Sequence, residues 1–497
     1  MRKISGRFGA VAGIPALMGM LFATAIAAPA QTFKILLSFD GTNGRDPNAA
    51  LVQGLDGSLY GTTSLGGSKD AQGTAFKVAP TGTLTTLYSF CAPNGCKYTG
   101  DHPAAGLVQA PDGNFYGTAP VTGANGWGTV FEITPAGNLT IIYNFCSQTN
   151  CTDGATPVAG LTRASDGNFY GTTKQGGANN SSLCYYGAAG CGTIFKITPT
   201  GTLTTLYSFC AQLNCSDGDE PVAGLVQGSD GEFYGTTSDS NGYGTVFEIT
   251  PSGTLTTLYS FNLTDGDNPL AGLIQGTDGN FYGTTTLGGA NGGGTLFKVT
   301  PSGTLTTLYD FCAQPGCTDG EFPAAGLVQA TDGNFYGTTQ LGGTSTACNS
   351  GCGTIFKMTP AGMLTTLHSF DGSDGRSPEA SLVQATSGAF YGTATLGGSG
   401  SSCSPDGCGT VFSVSVGLGP FVETLPTSGK AGAVVKVLGT HLTGATSVTF
   451  NGAAAVFKVI SPSEIGTSVP TGATTGPLKV VTPTGTLTNN VNFQVLP

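Results

Sequence analysis

Fourteen cysteines carry the most distinctive chemistry in this sequence, because they fall into seven pairs whose members are four to seven residues apart. Even cysteine counts at short spacings are typical of proteins that fold under oxidising conditions. We therefore predict seven local disulfide bonds and no free thiol, each bond stabilising the fold by about 2 kcal/mol through loop closure. The pairs are Cys91/Cys96, Cys146/Cys151, Cys184/Cys191, Cys210/Cys215, Cys312/Cys317, Cys348/Cys352 and Cys403/Cys408.

Zinc is the alternative use of these thiols. A structural zinc site needs four ligands, whereas the cysteine pairs fall in different predicted loops and the chain has only three histidines. The pattern therefore favours disulfides, and no metal site is assigned.

Acidic residues recur in a second motif, x-Gly-x-x-Pro, at residues 153–157, 217–221, 265–269, 319–323 and 374–378. Hard oxygen ligands of this kind could bind calcium. The alternative is a turn, in which Asp bonds its own backbone, Gly permits the bend and Pro starts the next segment. The turn is favoured because the spacing is not that of an EF-hand loop. Calcium binding is the alternative, and the sequence suggests no other cofactor. The candidate ligands are Asp217, Asp219, Glu220, Asp265 and Asp267.

A row of amides forms the third candidate, with Arg163 at the corresponding place in one repeat. Amides facing a channel could bind sugar hydroxyls, but amides beside turns more often satisfy backbone groups. The second interpretation is favoured. The glutamines are Gln53, Gln109, Gln227, Gln275, Gln329 and Gln384.

The remaining polar and aromatic candidates give no catalytic assignment. His368 occupies a position where other repeats have Tyr, and His102 lies beside Asp101 in a loop. His441 belongs to the C-terminal segment, and Trp127 is the only tryptophan. The sequence has no nucleophile elbow and no phosphate-binding glycine loop. Because the sequence contains many equivalent Asp-Gly turns, it does not identify a pair of carboxylates of the kind that cleaves glycosides.

These residues are positioned by a sevenfold repeat. Each copy contains Tyr-Gly-Thr followed by Gly-Thr-x-Phe, and the tyrosines are 48 to 64 residues apart. Short alternating segments separated by Gly and Pro turns predict four strands per copy, which is typical of a propeller blade. The tyrosines are Tyr60, Tyr116, Tyr170, Tyr234, Tyr282, Tyr336 and Tyr391.

The two ends of the array predict a closed ring. Residues 33–39 resemble the fourth strand of a copy, and the last copy stops at its third strand, residues 409–416. Pairing these segments would leave no exposed edge. We therefore predict an all-β, seven-bladed β-propeller over 31–417, closed by the N-terminal strand; an open β array is the alternative.

Connections of two kinds should lie on opposite faces of this ring. The turn face carries the tight turns between strands one and two and between strands three and four. The loop face carries the other connections, which vary in length and hold all the cysteines. Loops on a rigid scaffold often carry function, so the loop face is the predicted working face. Tolerated insertions that the disulfides stiffen are the alternative.

The N-terminus and the charge indicate an exported protein. Three basic residues precede an apolar run, and Ala28-Pro29-Ala30 predicts cleavage of a signal peptide, residues 1–30, before Gln31. An N-terminal membrane anchor is the alternative. The formal charge of −11, which becomes −14 without residues 1–30, argues against nucleic acid. No later segment is apolar enough to span a membrane.

The repeated phrases Gly-Leu-Val-Gln-x-x-Asp-Gly-Asn-Phe-Tyr-Gly-Thr-Thr and Gly-Thr-Leu-Thr-Thr-Leu-Tyr-Ser-Phe resemble the GloVer tandem repeat of bacterial exported proteins. That resemblance implies no activity. Residues 418–497, with motifs such as Leu425-Pro426-Thr427-Ser428-Gly429, resemble an IPT/TIG domain, which implies an immunoglobulin-like β-sandwich. Short alternating strands support this second domain independently.

Three function classes follow. The leading hypothesis is a secreted or cell-surface, non-enzymatic protein that binds an unidentified protein or polysaccharide through the loop face. Few histidines, low charge and similar repeats favour it, because a catalytic site breaks ring symmetry at a few positions. The alternatives are a propeller enzyme that acts on polysaccharide and a structural envelope component.

Overall fold

The computed structural model describes residues 31–68, 71–91, 99–179, 181, 184, 190–238 and 242–496, so the predicted signal peptide lies outside the described residues. Regular structure here is almost entirely β-strand, which confirms the predicted all-β class. No helix in the described part of the chain is long and apolar enough to cross a membrane. Short 3₁₀ helices lie at Thr149–Cys151, Leu213–Cys215, Pro315–Cys317 and Ser401–Cys403.

One strand precedes the repeats, which supply four strands each except the last. The strands are β1 Thr32–Ser38; β2 Val52–Gln53, β3 Leu59–Thr63, β4 Thr74–Val78 and β5 Leu84–Ser89 of repeat 1; β6 Val108–Gln109, β7 Phe115–Ala119, β8 Thr129–Ile133 and β9 Leu139–Asn144 of repeat 2; β10 Thr162–Arg163, β11 Phe169–Thr173, β12 Thr193–Ile197 and β13 Leu203–Ser208 of repeat 3; β14 Val226–Gln227, β15 Phe233–Thr237, β16 Thr245–Ile249 and β17 Leu255–Ser260 of repeat 4; β18 Ile274–Gln275, β19 Phe281–Thr285, β20 Thr295–Val299 and β21 Leu305–Asp310 of repeat 5; β22 Val328–Gln329, β23 Phe335–Thr339, β24 Thr354–Met358 and β25 Leu364–Ser369 of repeat 6; and β26 Val383–Gln384, β27 Phe390–Ala394 and β28 Thr410–Ser415 of repeat 7.

The described strands of the repeats form seven four-stranded antiparallel sheets. In six of them the strand order follows the chain. The last sheet has the order β1-β28-β27-β26, with Thr32 opposite Ser415 and Ser38 opposite Thr410. The N-terminal strand therefore completes the sheet of repeat 7.

Each repeat buries its motif residues against the next repeat. Tyr60 stacks on Phe115 of repeat 2 with ring centroids 4.1 Å apart, and the same stacking recurs between later neighbours. The glycine of Tyr-Gly-Thr leaves room for this core: a Cβ added to Gly117 would lie 2.7 Å from Cζ of Phe131. The motif is thus a packing unit.

A buried threonine joins every repeat to its neighbour. The hydroxyl of Thr62 donates to the carbonyl of Ala105 in repeat 2, and equivalent bonds of 2.9 to 3.4 Å recur at each described junction. The last of them runs from Thr393 in repeat 7 to the carbonyl of Ala49 in repeat 1. These contacts follow chain order and return to the start.

The C-terminal unit, residues 422–495, has its own apolar core. Two four-stranded sheets, β29-β31-β35-β34 and β33-β32-β36-β37, enclose buried residues such as Val437, Phe450 and Leu478. A short parallel pair, β30-β38, accompanies them. The strands are β29 Val422–Leu425, β30 Ser428–Gly429, β31 Val434–Gly439, β32 Ser447–Phe450, β33 Ala453–Ala454, β34 Phe457–Ser461, β35 Glu464–Ser468, β36 Leu478–Thr482, β37 Gly485–Thr488 and β38 Gln494–Val495.

This unit rests on the turn face of the repeats. The Ser463 hydroxyl donates to the carbonyl of Leu55 in repeat 1 at 2.8 Å. The Phe421 N–H donates to the carbonyl of Thr386 in repeat 7 at 2.9 Å. The Asn490 amide reaches the carbonyl of Gln329 in repeat 6 at 3.1 Å. These contacts tie the C-terminal unit to turns on both sides of the junction between the last and first repeats.

Candidate functional site

A cavity of about 640 Å³ lies between the turn face and the C-terminal unit. Turns of repeats 1, 2 and 7 form one wall, and strands β31 and β35 with their flanking turns form the other. Ligand sites favour such concave spaces between units. Its polar lining includes Gln53, Asp56, Tyr60, Ser387, Tyr391, Lys436, His441, Ser463 and Glu464.

The strand register of the C-terminal unit gathers two carboxyl groups on the face that lines this cavity. Glu423 lies opposite Leu438, and Leu438 lies opposite Glu464. Directly opposed residues point to the same side of a sheet. The alternate residues Val422 and Val437 are buried in the core of the unit. Glu423 therefore shares its face with Glu464, which lines the cavity.

Glu423 is protonated at a higher pH than an ordinary carboxyl group. The residue keeps solvent-accessible surface although many protein atoms surround its carboxyl group. Burial raises the pKa of Glu423 to about 7. Because desolvation disfavours the charged form, Glu423 can hold a proton near neutral pH.

Glu464 is held differently. Its Oε1 lies 3.0 Å from Nζ of Lys436, and only 16% of its side chain is exposed. One face of the C-terminal unit thus carries a carboxyl group with a raised pKa and a second carboxyl group in an ion pair with a lysine.

Asp56, on the opposite wall, belongs to the structure of the turn. It accepts from the Tyr60 hydroxyl at 3.0 Å and from the Ser58 N–H at 3.0 Å, and it pairs with Lys77 at 2.5 Å. Burial opposes ionisation, but these bonds lower the pKa of Asp56 below its ordinary value. The same Asp–Tyr bond recurs in repeats 2 to 6.

Repeat 7 departs from that pattern where it meets the cavity. Ser387 replaces the aspartate, and Tyr391 is only partly buried whereas its counterparts are buried. Leu59 of repeat 1 stands where the next repeat supplies Phe elsewhere, and it packs with Tyr391. Burial raises the pKa of Tyr391. Its neutral phenol is a hydrogen-bond donor on the wall facing Lys436 and Glu464.

Sequence reasoning missed Glu423 and Glu464, although three of its candidates, Gln53, Gln109 and His441, line the same cavity. The available signal was charged residues within short apolar strands of the C-terminal segment. That signal does not reveal the cavity, because most of one wall comes from the first repeats and the other from the end of the chain; Leu55 and Ser463, for example, are separated by 408 residues.

The cysteines lie on the loop face, away from this cavity. Disulfide bonds join Cys146–Cys151, Cys184–Cys191, Cys210–Cys215, Cys312–Cys317, Cys348–Cys352 and Cys403–Cys408. The predicted Cys91/Cys96 pair includes Cys96, which lies outside the described residues.

Two of these disulfides meet in repeat 3. The sulfur atoms of Cys184, Cys210 and Cys215 lie within 4.8 Å of one another. The argument that cysteines in different loops stay apart is therefore wrong at this place. All three sulfur atoms are already engaged in disulfides, so no zinc site is assigned.

The acidic loop motif serves as a turn where its bonds are visible. Asp217 accepts from the Tyr207 hydroxyl at 2.8 Å and from the Ala211 N–H at 2.9 Å, and Asp265 accepts from the Tyr259 hydroxyl at 2.6 Å. His368 takes the tyrosine role in repeat 6 and lies 2.8 Å from Asp374. These carboxylates are used by their own loops, so no calcium site is assigned to them.

The remaining candidates are also structural or lie on the loop face. The Nε2 of Gln227 donates to the carbonyl of Gly231 at 3.0 Å, and its Oε1 accepts from the Ser165 N–H at 2.9 Å. Nδ1 of His102 lies 3.2 Å from Asp101. Trp127 is 40% exposed, and its carbonyl accepts from the Thr156 N–H. Of the predicted row of glutamines, Gln53 and Gln109 line the cavity of about 640 Å³, whereas Gln227, His102 and Trp127 do not.

Several solved structures resemble the chain at low identity. A candidate 6-phosphogluconolactonase from Bacteroides uniformis has 17% identity and a TM-score of 0.43, with 65% of this chain and 85% of that one covered. A candidate oxidoreductase (glucose dehydrogenase) from Thermus thermophilus has 13% identity and a TM-score of 0.39, covering 78% and 100%. A gluconolactonase from Xanthomonas campestris has 9% identity and a TM-score of 0.39, covering 78% and 90%.

The prediction of a non-enzymatic binding protein is wrong in the light of these comparisons, because the solved structures that resemble the chain are named as enzymes. At these identities and TM-scores, neither their substrates nor their active-site residues are transferred to this chain. The predicted use of the loop face is corrected as well, since the cavity described above lies on the turn face.

The predicted GloVer resemblance is confirmed. No protein with a curated description matches the sequence significantly. The profile of the Gloeobacter/Verrucomicrobia repeat matches residues 10–185 and 182–412, which is most of the chain. The chain therefore belongs to the Gloeobacter/Verrucomicrobia repeat family.

Proposed function

We propose that this protein is an exported enzyme that hydrolyses glycosidic bonds of a polysaccharide in the cavity of about 640 Å³. The observation that carries the proposal is the pair Glu423 and Glu464, which the register of β29, β31 and β35 places on the cavity-lining face. Glycoside hydrolysis requires one carboxyl group that donates a proton and one carboxylate on the other side of the scissile bond.

The two carboxyl groups have different tasks in this proposal. Glu423, with its pKa raised to about 7, donates a proton to the glycosidic oxygen. Glu464, paired with Lys436, takes a proton from the attacking water. The bond from the anomeric carbon to the leaving oxygen breaks as the bond from that carbon to the water oxygen forms.

The strand spacing predicts the stereochemical outcome. Glu423 and Glu464 lie two strands apart, so their Cα atoms are separated by roughly 10 Å, and side chains that extend in parallel from one face would hold the carboxyl groups at about that distance. Inverting enzymes hold their carboxyl groups about 6.5–9.5 Å apart to leave room for water, whereas retaining enzymes hold them about 5–5.5 Å apart. We therefore propose inversion at the anomeric carbon.

The decisive experiment screens purified mature protein against neutral and acidic polysaccharides and follows the first product by NMR. New reducing ends of inverted configuration, lost in Glu423→Gln, are the expected result. A retained anomer would overturn the pairing of Glu423 with Glu464. Turnover of sugar lactones without cleavage of any polysaccharide would replace the proposed reaction.

We also propose the finer architecture: a seven-bladed β-propeller over 31–417, closed by β1, and an immunoglobulin-like domain of the IPT/TIG kind over 418–497. The β1-β28 pairing and the threonine bond from Thr393 to Ala49 support closure. Two facing sheets around one apolar core support the sandwich. An experimental structure with another blade count, or with residues 33–39 far from 409–416, would contradict it.

We also propose that the protein is exported and that residues 1–30 are removed. The disulfides of the loop face are consistent with an extracellular protein. Sequencing of the mature N-terminus is expected to begin at Gln31, and thiol titration of the unfolded protein is expected to find no free cysteine. Retained residues 1–30 would favour the membrane-anchor alternative.

A further inference from the structure

A second cavity, of about 560 Å³, lies under another part of the C-terminal unit. Turns of repeats 3, 4 and 5 form its floor, and the segments around residues 426–428 and 491–494 form its roof. Ten of its sixteen lining residues have hydroxyl or amide side chains, and one is a cation. Residues used below are Arg163, Ser165, Ser229, Thr427, Asn492 and Gln494.

The floor of this cavity is part of a ring of glutamine bonds between repeats. At six described junctions, Oε1 of the glutamine that ends the first strand accepts a backbone N–H from the turn of the preceding repeat, at 2.8 to 3.1 Å. Gln275, for example, accepts from Ser229 at 2.9 Å. The ring includes the junction from repeat 7 to repeat 1, where Gln53 accepts from Thr386.

The junction between repeats 2 and 3 lacks this bond on both sides. Arg163 replaces the glutamine and offers no acceptor. The residue that would donate is Pro111, which has no N–H. The two departures fit each other, because a glutamine at 163 would find no donor in Pro111. The side chain at 163 is thus released from the bond that fixes its counterparts.

The surroundings of Arg163 suit hydroxyl groups better than an anion. Burial lowers the pKa of Arg163, and the charges of Asp112, Asp166 and Tyr116 oppose that shift, which places these groups close to the guanidinium. Asp166 is also paired with Lys196 at 2.7 Å. Two carboxylates beside one guanidinium leave no excess positive charge near Arg163 for an acidic ligand.

We propose that the second cavity is a binding subsite for a neutral polysaccharide chain, with Arg163 as its main hydrogen-bond donor. The guanidinium donates to neighbouring sugar hydroxyls, and the Ser165 and Thr427 hydroxyls of the cavity lining accept from them. Asn492 and Gln494 of the C-terminal unit reach the chain from above. The inference rests on the proposed function, because it treats this cavity as a distal part of the same polysaccharide site.

Two variants distinguish a loss of polysaccharide binding from a loss of folding stability. Arg163→Gln alone replaces the charged guanidinium, with its five N–H donors, by a neutral amide. Pro111→Thr with Arg163→Gln also restores the bond found at the other junctions, where Thr277, Thr331 and Thr386 hold the donating position. This double variant is expected to melt at or above the temperature of the natural protein, so it controls for misfolding.

Binding is measured by affinity electrophoresis in gels that contain a neutral glucan, a neutral mannan or a polyuronate. Loss of a charged hydrogen bond corresponds to about 10- to 100-fold weaker binding, and we expect this loss in both variants for a neutral polymer. Equal binding by the double variant and the natural protein would overturn the inference. Tighter binding of the polyuronate than of either neutral polymer would also overturn it.

Measurements of polysaccharide cleavage distinguish failure of the proposed hydrolysis from failure of the proposed subsite. If no polysaccharide is cleaved but both variants lose binding of a neutral polymer, the subsite stands and the proposed hydrolysis fails. If a polysaccharide is cleaved and neither variant changes binding or KM, hydrolysis stands and the subsite is overturned.

Discussion

The two faces of the repeat array differ in loop length, but the face with the longer loops is not the one that holds the described cavities. The loop face has long, variable connections with disulfides, whereas the turn face has short turns of nearly constant sequence. Yet both described cavities lie on the turn face, because the C-terminal unit covers it. Loop length varies mainly on the loop face, whereas the C-terminal unit decides where the two described cavities form.

The largest expected difference in kcat is between two single variants, one that replaces Glu464 on the turn face and one that replaces Glu321 on the loop face. Glu464→Gln on the turn face removes the proposed base and is expected to lower kcat by about 10²–10⁴-fold, the usual contribution of general acid–base catalysis. Glu321→Gln alters a partly buried acid of the loop face, whose pKa burial also raises. It is expected to leave kcat within about twofold, as for a site remote from the chemistry.

Steady-state kinetics on the same polysaccharide checks this pair of variants. The reverse result, with Glu321→Gln inactive and Glu464→Gln active, would return the working site to the loop face. Unchanged melting temperatures in both variants are the control that assigns the effect to chemistry.

The pH profile sharpens the assignment of the acid. Glu423 must be protonated to act, so kcat/KM is expected to fall as the pH rises through about 7, and to approach a tenfold fall per pH unit above it. Stability changes in the same direction: a carboxyl group whose pKa is raised in the folded state stabilises it fully below its unfolded pKa, and this contribution is lost as the pH rises through about 7.

Glu423→Gln therefore serves two measurements. It should remove the alkaline fall of kcat/KM together with most of the activity, and it should melt at a higher temperature than the natural protein at pH 8. A natural enzyme whose activity rises steadily from pH 6 to pH 9 contradicts the role of Glu423 as the acid.

A smaller effect is expected from opening one disulfide on the loop face. Replacing Cys312 and Cys317 with serine removes a bond between residues five apart. We expect the free energy of unfolding to fall by about 2 kcal/mol, the range for short closed loops. Denaturant titration measures this loss, and activity per folded molecule should stay unchanged. A loss of activity beyond the unfolded fraction would connect the loop face to the cavity.

The smallest effect is expected from one glutamine of the turn face. Gln275→Ala leaves the Ser229 N–H without its acceptor and the Gly279 carbonyl without its donor, although water can reach this exposed turn. The expected loss is about 1–2 kcal/mol, the typical net worth of two hydrogen bonds. Gln275→Glu keeps an acceptor and is the matched control in the same titration. A loss above about 3 kcal/mol would mean that the ring depends on each bond cooperatively.

The repeat and its short strands can be predicted from the amino-acid sequence alone, because Tyr-Gly-Thr and Gly-Thr-x-Phe specify local packing in every copy. The sequence also indicated that the glutamines bond backbone groups at turns, because each turn recurs in the next repeat. It indicated the disulfides as well, because the paired cysteines are only a few residues apart.

The position of the cavity and the raised pKa of Glu423 depend on contacts between distant parts of the chain, so they could not be predicted from local sequence. Ser463 meets Leu55 across 408 residues, and no local pattern encodes that contact. The pKa of Glu423 is raised because protein surrounds it at this junction of two units. Desolvation depends on the atoms packed around a group, so the same glutamate on an isolated strand would titrate as an ordinary carboxyl group.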